Sequence, residues 1–457
     1  SLLTEDDTLT DSTTIGSKDI SDTVLYRQFV HDDEGVSKME YNRKLNIVAT
    51  ASPMNRVTIW HVKDIFSDSS SSSDVSSKTN VVGASRNPIL DLTQTFVGHN
   101  KKVTSIEMLS ESGSHIVSAS DDYSVNVYVQ GGCCSSASLC CNFHTFPPNP
   151  CTRQKKKKLK HRILKKIYRY DIKNMKREMS FNFGSSALTM AVRYRNNSFA
   201  RGDADCIFVG GTAYDIKAMS LDPVRYDNVL RSSFGFDSTQ TSELHCGLRL
   251  TGHSGKVRAA EMDPTGTLLA SASEDFSIAL WKIKTRADKP IVTSGLRPGE
   301  VINRSNEMQS ASSTVSEHNG HVVSLAFTDL FDKKKSYLAS CSSDHSLIVW
   351  NVNYGGMMRS AGLSVKWMCP SAHLSVVSDV CWGHEHTKEW LFTAGWDHNI
   401  SIWRLDMPQN ASKEVSAPLR TLWGHTARVA CVAVTRNGNS LISAGADCCA
   451  ILWDLSD

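Results

Sequence analysis

The sequence lacks the short signatures that mark most enzymes. It has no Gly-x-x-x-x-Gly-Lys-Ser/Thr phosphate loop, no His-Glu-x-x-His and no Gly-x-Ser-x-Gly. No run of eighteen apolar residues occurs, so no transmembrane helix is expected. Net charge is nearly absent: 50 Lys and Arg against 47 Asp and Glu leave +3, which announces neither a nucleic-acid nor a membrane partner. The N-terminus is acidic, without the basic-then-apolar layout of a signal peptide, and it lacks Met, as expected of a fragment or trimmed chain. Thirteen cysteines are present, but without the spacing of a disulfide or zinc framework. Cys206, Cys341, Cys381 and Cys431 fall in or beside strand-like runs, as small buried hydrophobes do. This implies a reducing, intracellular compartment, cytoplasmic and/or nuclear, in which the Asn-x-Ser matches at Asn196, Asn303, Asn399 and Asn410 are chance.

What is present is repetition. Residues 252–281 open on Gly252-His253 and close on Trp281. Between them lie three runs of alternating apolar character, residues 257–262, 268–272 and 277–281, separated by the turn residues Pro264-Thr265-Gly266 and Glu274-Asp275. The unit recurs in strict register. Val257 follows His253 by four, Ser271 precedes Asp275 by four, and Trp281 follows Asp275 by six. The same offsets yield His318, Val322, Ser340, Asp344 and Trp350; His373, Val377, Thr393, Asp397 and Trp403; and His425, Val429, Ser443, Asp447 and Trp453. They yield His99, Val103, Ser118 and Asp122 as well, with Tyr128 in place of the tryptophan. Five sets in one register argue for a fold requirement rather than a catalytic triad, whatever their His/Asp/Ser composition suggests.

These residues resemble the WD-repeat (WD40) family of beta-propellers. The resemblance implies an all-β fold, a single seven-bladed propeller in which the His, Asp, Ser/Thr and Trp of each repeat form a structural hydrogen-bonded tetrad. It also implies a platform that assembles protein complexes, without catalysis and without a cofactor. The expected division is a Ser/Thr-rich acidic tail over residues 1–22 and a propeller over 23–457, with an insertion at 131–178. Residues 31–60 read as an eroded first repeat, with Thr50 and Trp60 kept but Met54 in place of the Asp. Residues 188–195, 206–211 and 215–220 supply a degenerate third blade that the count of seven requires. Residues 23–29 precede the first blade and are spare, while the chain ends four residues after Trp453. They are expected to close the ring as the outer strand of the last blade.

Two regions are candidates for binding. In the insertion, Cys133-Cys134, Cys140-Cys141 and Cys151 lack zinc-knuckle spacing, so no metal is assigned, and His384-Glu385-His386 reads as an exposed turn. Residues 153–177 follow, with Leu159, Ile163 and Ile167 at four-residue spacing among Lys155, Lys156, Lys157, Lys158, Lys160 and Arg162. This reads as a basic amphipathic helix: an RNA- or phosphate-binding arm, a nuclear localisation signal, a docking helix for an acidic partner, or a solvated insertion. RNA contact through it makes a subunit of an RNA-containing assembly the alternative function. The second region is implied by the resemblance. Residues flanking the recurring Val, and the residue before each tetrad Asp, should lie on one rim around the channel. Lys102, Lys256, Arg258, His321 and Arg428 are such flanks, and Trp396 is a pre-Asp residue. Tryptophan and arginine are enriched interface anchors, so the expected ligand is an acidic or phosphorylated segment of another protein, with the propeller itself monomeric.

Overall fold

The computed structural model describes residues 24–29, 35–43, 46–62, 90–108, 115–130, 175–197, 200–220, 248–283, 313–328, 336–354, 361–435 and 437–455. The 1–22 tail, the paired cysteines from 133 to 151 and the Lys155–Lys160 and Arg162 cluster lie outside them.

The described chain forms seven four-stranded antiparallel sheets, each one blade. The closing strand comes first, β1 (Val24–Phe29). Blade 1 is β2 (Lys38–Asn42), β3 (Ile47–Ala51), β4 (Arg56–Val62) and β5 (Leu90–Val97). Blade 2 is β6 (Val103–Met108), β7 (His115–Ser120), β8 (Ser124–Gln130) and β9 (Met175–Asn182). Blade 3 is β10 (Ala187–Asn197), β11 (Ala200–Gly211), β12 (Asp215–Ser220) and β13 (Leu248–Thr251). Blade 4 is β14 (Val257–Met262), β15 (Leu268–Ser273), β16 (Ile278–Lys282) and β17 (Ser313–Val315). Blade 5 is β18 (Val322–Phe327), β19 (Ser336–Ser342), β20 (Leu347–Asn353) and β21 (Gly362–Cys369). Blade 6 is β22 (Val377–Trp382), β23 (Trp390–Gly395), β24 (Asn399–Arg404) and β25 (Arg420–Trp423). Blade 7 is β26 (Val429–Val434), β27 (Ser440–Gly445) and β28 (Cys449–Asp454), completed by β1. Phe29 lies opposite Cys449 and Val24 opposite Trp453, so the first described strand closes the last blade.

The first strands of successive blades adjoin one another in a closed ring, from β2 through β6, β10, β14, β18 and β22 to β26 and back. The core lies between the facing sheets. Phe208, Ile216 and Leu250 of blade 3 pack with Val257, Leu269 and Trp281 of blade 4. A blade buries both faces, which explains why the second strands read as nearly unbroken apolar runs.

The turn between second and third strands carries one non-glycine residue of positive φ in every blade: Asn55, Tyr123, Tyr214, Phe276, His345, His398 and Cys448, between 61° and 73°. This puts blades 1 and 3, which lack the His–Asp pair, in register with the other five. The expected third blade is therefore present, with longer strands than its residues indicated: β10 and β11 extend past 188–195 and 206–211. The insertion expected at 131–178 lies within blade 2, between β8 and β9, and ends before 175. Residues 175–178 open β9, because β8 needs a fourth strand beside it, and Met175 pairs with Gln130.

Seams between blades are stapled by polar side chains on the inner strands. The hydroxyl of Ser37 donates to the Val103 carbonyl at 2.9 Å, Ser378 donates to Val429 O at 2.6 Å, and Thr104 donates to Ala187 O. Thr189 Oγ1 accepts the Ala260 N–H at 3.0 Å. Thr104 and Ser378, although they flank the recurring Val, thus face a neighbouring blade and not a ligand.

Candidate protein-interaction site

The rim is built on the tetrads. In blade 4, Trp281 Nε1 donates to Ser271 Oγ at 2.8 Å, which lies 2.7 Å from His253 Nε2, and His253 Nδ1 lies 3.0 Å from Asp275 Oδ2. The ionised carboxylate only accepts, which assigns the Nδ1–H to Asp275 and leaves Nε2 to accept from the serine hydroxyl, whose oxygen accepts from the indole. Blade 7 repeats this through Trp453, Ser443, His425 and Asp447 at 2.8, 2.7 and 2.9 Å. Blade 6 uses Trp403, Thr393, His373 and Asp397 at 3.0, 2.8 and 3.0 Å. In blade 5, Trp350, Ser340 and His318 are linked alike, but His318 Nδ1 meets Ser346 Oγ at 2.7 Å and Asp344 only at 3.7 Å. Blade 2 joins Ser118, His99 and Asp122 at 2.6 and 3.2 Å. Burial pushes all five carboxyls up, but hydrogen bonds from His and from serine or backbone N–H groups outweigh it and hold them below the usual carboxylate range. These Asp residues also fix the chain after each His: the N–H of Asn100, Ser254, Asn319, Leu374 and Thr426 each bonds the tetrad carboxylate. Blade 1 keeps half a tetrad, Trp60 Nε1 to Thr50 Oγ1 at 2.9 Å, with Met54 turned to solvent.

The tetrads therefore set the positions of the rim residues. Arg258 and Lys256 both lie on Glu274, with Arg258 Nε 2.8 Å from its carboxylate and Lys256 Nζ 3.4 Å away. His321 Nδ1 sits 2.9 Å from the Glu274 carbonyl, beside the Phe276 ring. The positive charge at blade 4 is thus largely answered within the blade. Lys102 is exposed on blade 2. Trp396 is 45% exposed, and Arg428, reaching over from blade 7, lies with its guanidinium carbon 5.1 Å from the Trp396 ring centre. The structure brings these two together and leaves Lys102 apart from them.

One charged constellation was missed in the sequence. Asp379, on the inner strand of blade 6, accepts from Ser324 Oγ of blade 5 at 2.8 Å and from Val432 N of blade 7 at 3.1 Å, and pairs with Lys38 Nζ of blade 1 at 3.3 Å. Asp379 beside Lys38 raises that ammonium further above its usual range. Burial pushes Glu40 up to about 7, against the pull of Lys38 and Arg43, and it drives Glu107 up as well, with Glu40 and Glu261 adding to the rise. No local motif announces these groups, because they meet only when the ring closes.

Among the described residues no group of His, Cys, Asp or Glu is arranged to hold a metal. His384 lies 3.4 Å from Glu385 and the same distance from Arg43, in a short 3-10 turn, Glu385–Thr387. No described helix is long and apolar enough to cross a membrane.

The family model for "WD domain, G-beta repeat" matches residues 90–128, 244–282, 310–351 and 416–454. Four WD repeats are thus matched within a seven-bladed beta-propeller. Blade 6 has a complete tetrad although its tetrad residues, His373 to Trp403, lie outside the matched segments. The chain is similar to a "Ribosome biogenesis protein WDR12 homolog" of Anopheles gambiae, 24% identical over 46% of this chain and 53% of that one. It is also similar to "Telomerase protein component 1" of Mus musculus, 27% over 35% of this chain and 5% of that one. A third relative is "Nuclear distribution protein PAC1" of Arthroderma benhamiae, 26% over 45% and 37%. The chain spans about half the length, or less, of these curated relatives.

Proposed function

We propose that this chain is a non-catalytic scaffold that binds partner proteins on the tetrad-side rim of the propeller, within a multi-subunit complex of the cytoplasm or nucleus. The observation that carries the reading is the exposed Trp396 with Arg428 laid over its ring. Arginine and tryptophan in contact on a solvent-facing rim, held by buried tetrads, form a preorganised anchor for an acidic segment. Lys102 extends this surface, while Lys256, Arg258 and His321 contribute shape more than net charge because Glu274 answers them. The relatives' own names, a ribosome biogenesis protein and a nuclear distribution protein, fit a role in assemblies. Trp396→Ala and Arg428→Glu should each lose partners in a pull-down with little change in melting temperature. Partners retained by the double variant would move the interface elsewhere.

A second reading has its own observation. The 131–174 segment leaves at Gln130 and re-enters at Met175, and this pair is at the opposite end of blade 2 from the turn at Asp122. The segment's two attachment points thus stand away from the tetrad turn of blade 2, and RNA contact through its basic residues, Lys155–158, Lys160 and Arg162, is the second reading. RNA affinity that falls steeply with salt, and whose slope flattens on charge reversal at Lys155–158, supports it. Absence of RNA binding at low salt removes it.

A further inference from the structure

Three rim positions recur from blade to blade, and blade 6 carries a large apolar residue at all three, whereas the other large apolar residue among them is Val97 of blade 1. Directly after the tetrad His stand Asn100, Ser254, Asn319 and Thr426, but Leu374 on blade 6. Directly before the tetrad Asp stand Asp121, Glu274, Ser343 and Ala446, but Trp396 on blade 6. Two residues before the next His, at the tip of the outer strand, stand Thr251, Ser316 and Ser371 on blades 3, 4 and 5, Val97 on blade 1, and Trp423 on blade 6. The three blade 6 residues share one end of one sheet. Leu374 N–H donates to Asp397 Oδ2 at 2.9 Å, Trp396 N–H donates to Val376 O at 2.9 Å, and Trp423 pairs with Asn399, two residues past Asp397. Leu374 is 87% exposed, Trp423 51% and Trp396 45%, and each is held there by a backbone hydrogen bond or a strand pairing. Exposed large apolar side chains in contiguity mark binding surfaces.

We infer that blade 6 is the docking surface for a segment of another protein that presents a large apolar side chain beside a carboxylate, received by Leu374, Trp396, Trp423 and Arg428. This rests on the scaffold reading and names the partner's chemistry for it. The apolar side chain lies on Leu374 and the two indoles. The carboxylate meets Arg428, whose guanidinium is exposed and is already oriented by Trp396. Asp397 does not compete for the arginine, because its oxygens bind His373, Leu374 N–H and Asn399 N–H. A phosphate dianion is ordinarily gripped by a cluster of cations. Here a single guanidinium is available, with Lys256 and Arg258 committed to Glu274 on blade 4, so the monoanionic carboxylate is the better match.

The test is selection of a displayed library of random linear peptides on the whole chain, followed by solution affinities of the enriched peptides. Enrichment of an aromatic or aliphatic residue within a few positions of Asp or Glu is expected. Affinity should fall at least about tenfold for Leu374→Ala, Trp423→Ala and Arg428→Ala each, with Lys282→Ala, at the far end of blade 4, unchanged. Replacing the peptide's Asp with phosphoserine should give no gain. Peptides that bind but ignore the three blade 6 substitutions, and lose affinity at Lys102 or His321, overturn the blade 6 assignment and leave the scaffold reading intact. Enrichment of polybasic sequences, or a clear gain in affinity when phosphoserine replaces the peptide's Asp, overturns the carboxylate chemistry. Self-association abolished by Trp423→Asp assigns the patch to a second copy and overturns the proposal. Melting curves of each variant distinguish lost binding from lost folding, and Trp423→Tyr keeps the experiment informative if Trp423→Ala is unstable.

Discussion

Replacing Asp379 with Ala strikes a side chain that touches three other blades. It removes the acceptor of the Val432 N–H on blade 7 and of the Ser324 hydroxyl on blade 5, and the counter-charge of Lys38 on blade 1. Asp379 is almost fully buried, whereas the Lys38 side chain is 33% exposed. Breaking a buried pair by removing one partner costs roughly 3–5 kcal/mol. Lys38 retains some access to water, which lowers that figure, and the orphaned N–H adds roughly 1–3 kcal/mol. A net loss of about 2–4 kcal/mol is expected for Asp379→Ala, and about half of that for Asp379→Asn, which keeps an acceptor but not the charge. Urea unfolding monitored by tryptophan fluorescence reads the loss, and amide exchange locates it: β26 should become less protected than β15. In a double-mutant cycle with Lys38→Met the two effects should fall short of additive by about 1 kcal/mol or more. The pH dependence has a definite sign. Lys38 is raised above its unfolded value, so its contribution is fully present below the ordinary lysine range and is lost only as strongly alkaline pH is approached; the Asp379→Ala deficit should be flat through neutrality. An Asp379→Ala protein within about 0.5 kcal/mol of wild type, or strict additivity with Lys38→Met, would refute the clasp.

Asp447→Ala deprives His425 Nδ1, Thr426 N and Cys449 N of their acceptor and should cost about 1–3 kcal/mol without unfolding the ring, since blade 1 forms with Met54 in the equivalent place. Its carboxyl is depressed, so this deficit should persist above the ordinary Asp range and shrink only as pH falls through the folded value; unchanged melting would remove the tetrad's structural role. Glu40 shows the opposite sign. Its folded pKa is raised to about 7, chiefly by burial, so the folded chain binds the extra proton and stability falls as pH rises from the ordinary Glu value toward 7. Glu40→Gln should flatten that decline and be the more stable protein above pH 7; parallel stability–pH curves would contradict it. Deleting residues 1–30 removes β1 and bares the β28 edge, so aggregation is expected, whereas deleting 1–20 should be tolerated. Equal melting of the two truncations would show that β1 does not close the ring.

Local chemistry made much of the architecture legible. Period-two alternation, Gly-His pairs and the fixed offsets from Ser271 to Asp275 to Trp281 sit within one repeat, so they survive in the linear chain and identify five blades. The spare strand at 24–29 could be assigned by counting, because without it the last blade would lack the outer strand that the other six have. Blade 3 was weaker: its positive-φ turn at Tyr214 conforms to the repeat, but no His–Asp pair marks it. The rest required the tertiary structure. Lys38 and Asp379 stand 341 positions apart and meet only because blades 1 and 6 flank the closing blade. Exposure of Trp396 could be anticipated from register, but its contact with Arg428, and its place at the same end of blade 6 as Leu374 and Trp423, bring together residues from four separate strand ends and loops. Which rim cations are free was likewise undecidable in one dimension, since Glu274 neutralises Arg258 only because the blade 4 hairpin lays its turn beside the inner strand. Sequence determined the repeat, because hydrogen bonding and alternation are local; tertiary structure decided the site, because exposure and charge pairing belong to neighbours that the ring brings together.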